Sequence, residues 1–345
     1  MDTHASLIFC LVVLLAALFT YSNGFQDGSS VAASAIGCRA LSPLQAVALV
    51  SVSEFMGAVF GGSAVADTVH SITSWPSRPD LLPVIACALA SAIVWNFVTK
   101  KLGLPSSSTH ALVGGILGSV LVAGGGEKYI VWGTANNFIH PTGMCKVVIS
   151  LFLSPIVGFV AGYVTFLMIM LVLMRASFRV NVLLKGAQWL TLATLAFGHG
   201  ANDTQKAMGV IMLALSAVGV SEGSIPLWVR LLSGLAMVSG IVSIAPRIVK
   251  RVGTGIYRMR PVHGFVTQLS SASVVFFNSL AGGPVSASQV IASSVMGVGT
   301  AERKKGVNWL VAQEMLITWL LTIPGAAMLS AVFYLTAFKN LNQLL

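Results

Sequence analysis

His199-Gly200-Ala201-Asn202-Asp203-Thr204-Gln205-Lys206 places an acid and a base inside the apolar run 190–215. An ionised side chain at the centre of a lipid-facing helix costs at least about 2.5–3.5 kcal/mol, so Asp203 and Lys206 must face a protein interior. The stretch has an echo. Gly24-Phe25-Gln26-Asp27 sets the same glycine and aspartate beside the first apolar run. A second pattern is also doubled, in the same order: Pro105-Ser106-Ser107-Ser108-Thr109-His110 and Pro284-Val285-Ser286-Ala287-Ser288-Gln289. From Asp27 to His110 is 83 positions and from Asp203 to Gln289 is 86. So small a drift over so long a stretch marks an internal duplication.

The rest of the chain says where this duplication lies. Of 345 residues, 56% are hydrophobic and 9% charged, too little polar surface to coat a soluble globule of this size. Apolar runs at 6–21, 44–66, 82–98, 111–123, 147–174, 190–215, 227–245, 262–280 and 307–337 are mostly long enough to cross about 30 Å of hydrocarbon. The expected fold is an all-α polytopic membrane protein with eight to ten crossings. Asp2 and His4 give the first run no basic flank, so it is expected to remain as a span rather than act as a secretory signal.

The net charge of +10 is a topology signal. With the amino terminus outside, Arg39, Lys100, Lys101, the link 175–185, the cluster 247–260 and Arg303 to Lys305 fall on the cytoplasmic side. Arg78, Lys128, Lys146, Arg230 and Lys339 fall outside. No basic stripe with interleaved aromatics exists, so no nucleic-acid partner is expected. The same count starts residues 1–174 outside and, after the basic cytoplasmic link 175–185, starts residues 186–345 inside. The repeats are then inverted. In secondary transporters such repeats place a site near the midplane, built from interrupted helices. Broken helices are expected near 23–30 and 199–206, and re-entrant hairpins near 103–112 and 282–291, where non-helical backbone must line a polar cavity or be buried in protein.

Asp27 and Asp203 occupy equivalent places and read as paired cation-coordinating carboxylates, with Asn23 and Asn202 beside them. Where sodium is the coupling ion, they are its ligands; a proton is the other candidate. Lys206, three residues after Asp203, shares its helix face. Glu54 and Glu314 sit in apolar surroundings, where a lone acid either takes part in the site or pairs locally. His110 and His199 are proton carriers or hydrogen-bonded core histidines. Gln205 completes the polar cluster. Ser106, Ser107, Ser108, Thr109, Ser286, Ser288 and Gln289 can donate hydrogen bonds at the two tips, and the helix N-termini that follow add N–H groups and a favourable dipole for an oxyanion. Serines also permit close helix packing, which is the reading for Gly57/Gly61 and Gly158/Gly162. Cys10, Cys38, Cys87 and Cys145 have no metal or redox spacing. No nucleophile–base pair or Walker-type phosphate loop is present, so no cofactor or enzymatic activity is expected.

The stretch from His199 through Gly209 resembles the second signature of the inorganic phosphate transporter (PiT) family. The resemblance extends to Pro105–His110 with Gly114-Gly115, to Pro284–Gln289 with Gly297-Val298-Gly299, and to Trp309 and Trp319–Pro324. It implies symport of phosphate with sodium or protons by alternating access, or carriage of a neutral metal–phosphate complex as in some bacterial members. It also implies inverted repeats, two hairpins and a dimer in many members; the cysteines without a framework and the lack of an organelle signal point separately to a plasma or bacterial inner membrane location. The first signature departs from the family pattern: Gln26 replaces histidine, Gly28-Ser29 replaces Thr-Ala, and Ser30 replaces asparagine. In the second hairpin Gln289 replaces histidine and Ala287 a hydroxyl residue. Sulfate or another oxyanion is the rival substrate, and an anion channel the rival mechanism.

Overall fold

The computed structural model describes residues 3–75, 80–123, 126–133, 141–177, 179–220 and 223–338, and these are helical almost throughout. Arg78 and Lys339, two of the charges assigned to the outer side, lie outside the described residues. The helices are α1 (Thr3–Gly37), α2 (Pro43–Phe60), α3 (Ala64–His70), α4 (Leu81–Leu102), α5 (Ser108–Val122), α6 (Gly143–Leu173), α7 (Val180–Ala217), α8 (Leu227–Val242), α9 (Pro246–Lys250), α10 (Pro261–Leu280), α11 (Ala287–Arg303) and α12 (Trp309–Ala337). Six of them, α1, α2, α4, α6, α7 and α12, are long and apolar enough to cross a membrane. The segment from α8 to Gly255, bent by 72° after Val242, adds a seventh. Among the described residues the count of helices long and apolar enough is therefore below the eight to ten crossings expected. The runs 111–123 and 262–280 belong to helices that pair into hairpins, and α10 is diluted by Thr267, Gln268, Ser270 and Ser271, all buried against protein.

Helix contacts pair symmetrically between the two halves of the chain. α1 packs on α8 and α7 on α2; α5 on α12 and α11 on α6; α1 on α4 and α7 on α10; α4 on α5 and α10 on α11. Every pair maps onto another when α1, α2, α4, α5 and α6 are exchanged for α7, α8, α10, α11 and α12. α7 begins at Val180, so the second half of the basic link 175–185 is already helical.

The broken helices expected near 23–30 and 199–206 are not broken: α1 and α7 run continuously through Asp27 and Asp203. The glycines in these stretches serve close approach instead. A Cβ on Gly24 would lie 2.3 Å from the Met237 carbonyl oxygen, and one on Gly200 would lie 2.2 Å from that of Glu54. Such contacts are impossible for any larger residue, so each glycine lets a neighbouring helix touch its backbone. Gly57 and Gly158 do the same against Phe197 and Val290.

Candidate functional site

The interruptions that matter are the two hairpin turns. Gly103, after α4, and Gly282, after α10, both adopt left-handed backbone, with φ of 69° and 68°, a conformation that costs glycine little. Pro105 and Pro284 follow, and the chain re-enters helix at α5 and α11, with Ser107 and Ser286 at the N-cap positions. Ser107 accepts from the His110 amide at 3.1 Å. The remaining first-turn N–H groups of both helices have no partner within their own helix, so both dipoles present their positive ends to the same buried region.

The two tips clasp each other reciprocally. Thr109 Oγ1 donates to the Val285 carbonyl at 3.2 Å, and Ser288 Oγ donates to the Ser106 carbonyl at 3.1 Å. His110 and Gln289 occupy matching positions and meet, Nδ1 to Nε2, at 3.4 Å. Each tip is also tied to its own long helix. Gln26 Nε2 donates to the Leu104 carbonyl at 2.9 Å and to Ser106 Oγ at 3.1 Å. Asn202 Nδ2 donates to the Gly283 carbonyl at 3.1 Å and to Ser279 Oγ at 3.0 Å, while its oxygen accepts from the Val285 amide. Gln26 therefore does for the first tip what Asn202 does for the second. Sequence reasoning missed this role, although aligning the repeats sets the two residues opposite one another.

Beside the clasp lie the two aspartates, which differ in how far they are satisfied. Asp203 is saturated: Oδ1 holds the Lys206 ammonium at 2.6 Å, and Oδ2 takes Asn23 Nδ2 at 3.0 Å and His199 Nε2 at 3.3 Å. Lys206 Nζ further reaches Thr109 Oγ1 at 2.5 Å and the Val285 carbonyl at 2.7 Å. Asp27 accepts from Ser108 Oγ at 2.6 Å through Oδ2, and Ser108 also donates to Asn23 Oδ1 at 3.0 Å. Its Oδ1 is buried without a partner. Asp27, His199 and Asp203 offer ligand atoms within 4.8 Å of one another.

Ser106 to His110, Ser286, Ser288, Gln289, Asn23, Asp27, Asn202, Asp203 and Lys206 are thus brought together, all buried. Glu54 and His199 join them as a pair, Oε1 to Nδ1 at 2.7 Å, with the other ring nitrogen of His199 toward Asp203. Gln205 faces elsewhere: it accepts from the Val65 and Ala66 amides and donates to the Gly61 carbonyl, fixing the start of α3. Glu314 does not belong to the site. It is exposed on α12 and pairs with Arg251 on the turn after α9, so its charge is met at the protein surface.

Known proteins resemble this chain over nearly its whole length. Residues 23–330 match the model of the phosphate transporter family. A probable low-affinity inorganic phosphate transporter of Bacillus subtilis is 36% identical over 328 residues, covering 94% of this chain and 95% of that protein. One from Rhizobium meliloti is 34% identical over 341 residues, covering 96% and 98%. Among solved structures, the sodium-dependent phosphate transporter superposes with a TM-score of 0.84 at 26% identity, over 98% of this chain and 100% of that one. A multi-pass helical membrane protein with this site, matched almost end to end, belongs to the phosphate transporter family.

Proposed function

We propose that the protein carries inorganic phosphate across a membrane by symport with sodium, using alternating access between two inverted repeats. The observation that carries this reading is the reciprocal clasp of two hairpin tips, each a helix N-terminus with hydroxyls, next to a carboxylate with a free oxygen. The N-termini and the hydroxyls of Ser106, Ser107, Ser108, Ser286 and Ser288 form a donor set for a tetrahedral oxyanion. In this structure hydroxyls of both tips bond within the protein, so phosphate would bind by turning them from protein acceptors to its own oxygens. Sodium would sit at Asp27 Oδ1, where oxygen ligands suit a hard cation and its charge offsets the repulsion between carboxylate and anion. The likeness to a sodium-dependent phosphate transporter supports that ion. The distribution of basic residues supports an amino terminus on the outer side.

A second reading, proton coupling, is favoured by His199, held between Glu54 and Asp203. Purified protein in liposomes decides between them. Labelled phosphate should accumulate under an inward sodium gradient, resist excess unlabelled sulfate, and ignore a proton gradient. Uptake driven by protons alone would move the coupling to His199, and sulfate uptake in place of phosphate would change the substrate.

A further inference from the structure

The two halves of the site are not equal. Where the second half has Lys206, three residues after its aspartate, the first has Ser30. The Lys206 ammonium is surrounded by three oxygens: a carboxylate oxygen of Asp203, the Thr109 hydroxyl and the Val285 carbonyl. That is the donor set a small hard cation would take. The matching positions in the first half are the Asp27 carboxylate, the Ser288 hydroxyl and the Ser106 carbonyl. Ser288 is already bonded to that carbonyl at 3.1 Å and lies beside Asp27. Among the described residues no ammonium bonds to this second set. Asp27 Oδ1 and Ser30 Oγ are both buried and both without a hydrogen-bond partner.

We propose that Lys206 is a tethered cation: its ammonium takes, in the Asp203 half, the place that a mobile cation takes at Asp27 in the other half. This rests on the reading of the protein as a cation-coupled phosphate carrier and deepens it. A chain without the lysine would need two mobile cations to neutralise the aspartates before an anion could enter; this chain needs one. Lys206 thereby sets the stoichiometry, and also strengthens the clasp by bridging Thr109 on one tip to Val285 on the other.

The test is phosphate binding to the purified full chain in detergent as sodium replaces choline at constant ionic strength. In the unaltered protein the sodium dependence has a Hill coefficient of about 1. In Lys206→Met the coefficient rises to about 2, and the half-saturating sodium concentration rises about tenfold or more. An unchanged sodium curve in a folded Lys206→Met protein overturns the proposal, as does a folded variant that binds no phosphate at any sodium concentration. Ser30→Lys tests the same idea without removing a charge from the core. With an ammonium supplied beside Asp27, phosphate binding becomes independent of sodium; binding that still requires sodium overturns the proposal. If the unaltered protein binds no phosphate under any cation, the parent reading fails, a result distinct from each of these.

Discussion

Asp27→Asn lowers sodium-driven phosphate uptake by about 100-fold and leaves the protein folded. The amide is isosteric and its oxygen still accepts from Ser108 Oγ, so the contact to the first tip survives. What is lost is the negative charge at an aspartate whose buried Oδ1 has no hydrogen-bond partner. Charge-assisted contacts of this kind are worth up to about 3 kcal/mol, which corresponds to roughly a 100-fold change in occupancy. Initial rates in liposomes, read beside a thermal unfolding curve in detergent, check both halves of the expectation. Normal uptake would remove Asp27 from the mechanism.

Asp203→Asn has a different signature, although the two residues are equivalent in the repeat. Here the carboxylate balances an ammonium buried on every side, and the neutral amide leaves that charge uncompensated. Breaking a buried pair by removing one partner costs about 3–5 kcal/mol. The variant should therefore lose thermal stability as well as transport, and Asp203→Asn combined with Lys206→Met should recover much of the stability. Equal melting temperatures for Asp27→Asn and Asp203→Asn would contradict the asymmetry between the two halves.

Much of this site is legible in the sequence because two of its patterns occur twice. Asp27 matches Asp203 and Ser106 to His110 match Val285 to Gln289, and in the structure Thr109 bonds to Val285, Ser288 to Ser106, and His110 meets Gln289. What could not be read was the role of glycine in a polar stretch. Gly24 and Gly200 suit either a helix break or a close approach, and the choice depends on the carbonyls of Met237 and Glu54, each more than a hundred residues away in the chain. Glu314 was left open between site and local pairing for a related reason. Its neighbours on α12 are apolar because they face lipid or protein, while Arg251, which meets its charge, lies on a different element. Lys206 was legible as a partner for Asp203, three residues away, but its bonds to Thr109 and Val285 depend on tertiary structure. The tether was therefore invisible until both hairpins were placed.

The measurement that tests the central claim most directly is the phosphate dissociation constant of the purified protein, determined by calorimetry at a series of sodium concentrations and again with sulfate. A cation at Asp27 and an anion at the tips are linked, so sodium must tighten phosphate and phosphate must tighten sodium by the same factor. Phosphate affinity should rise with sodium until Asp27 is saturated, sulfate should compete weakly, and Asp27→Asn should abolish the dependence. A phosphate affinity that is the same with and without sodium would contradict that linkage.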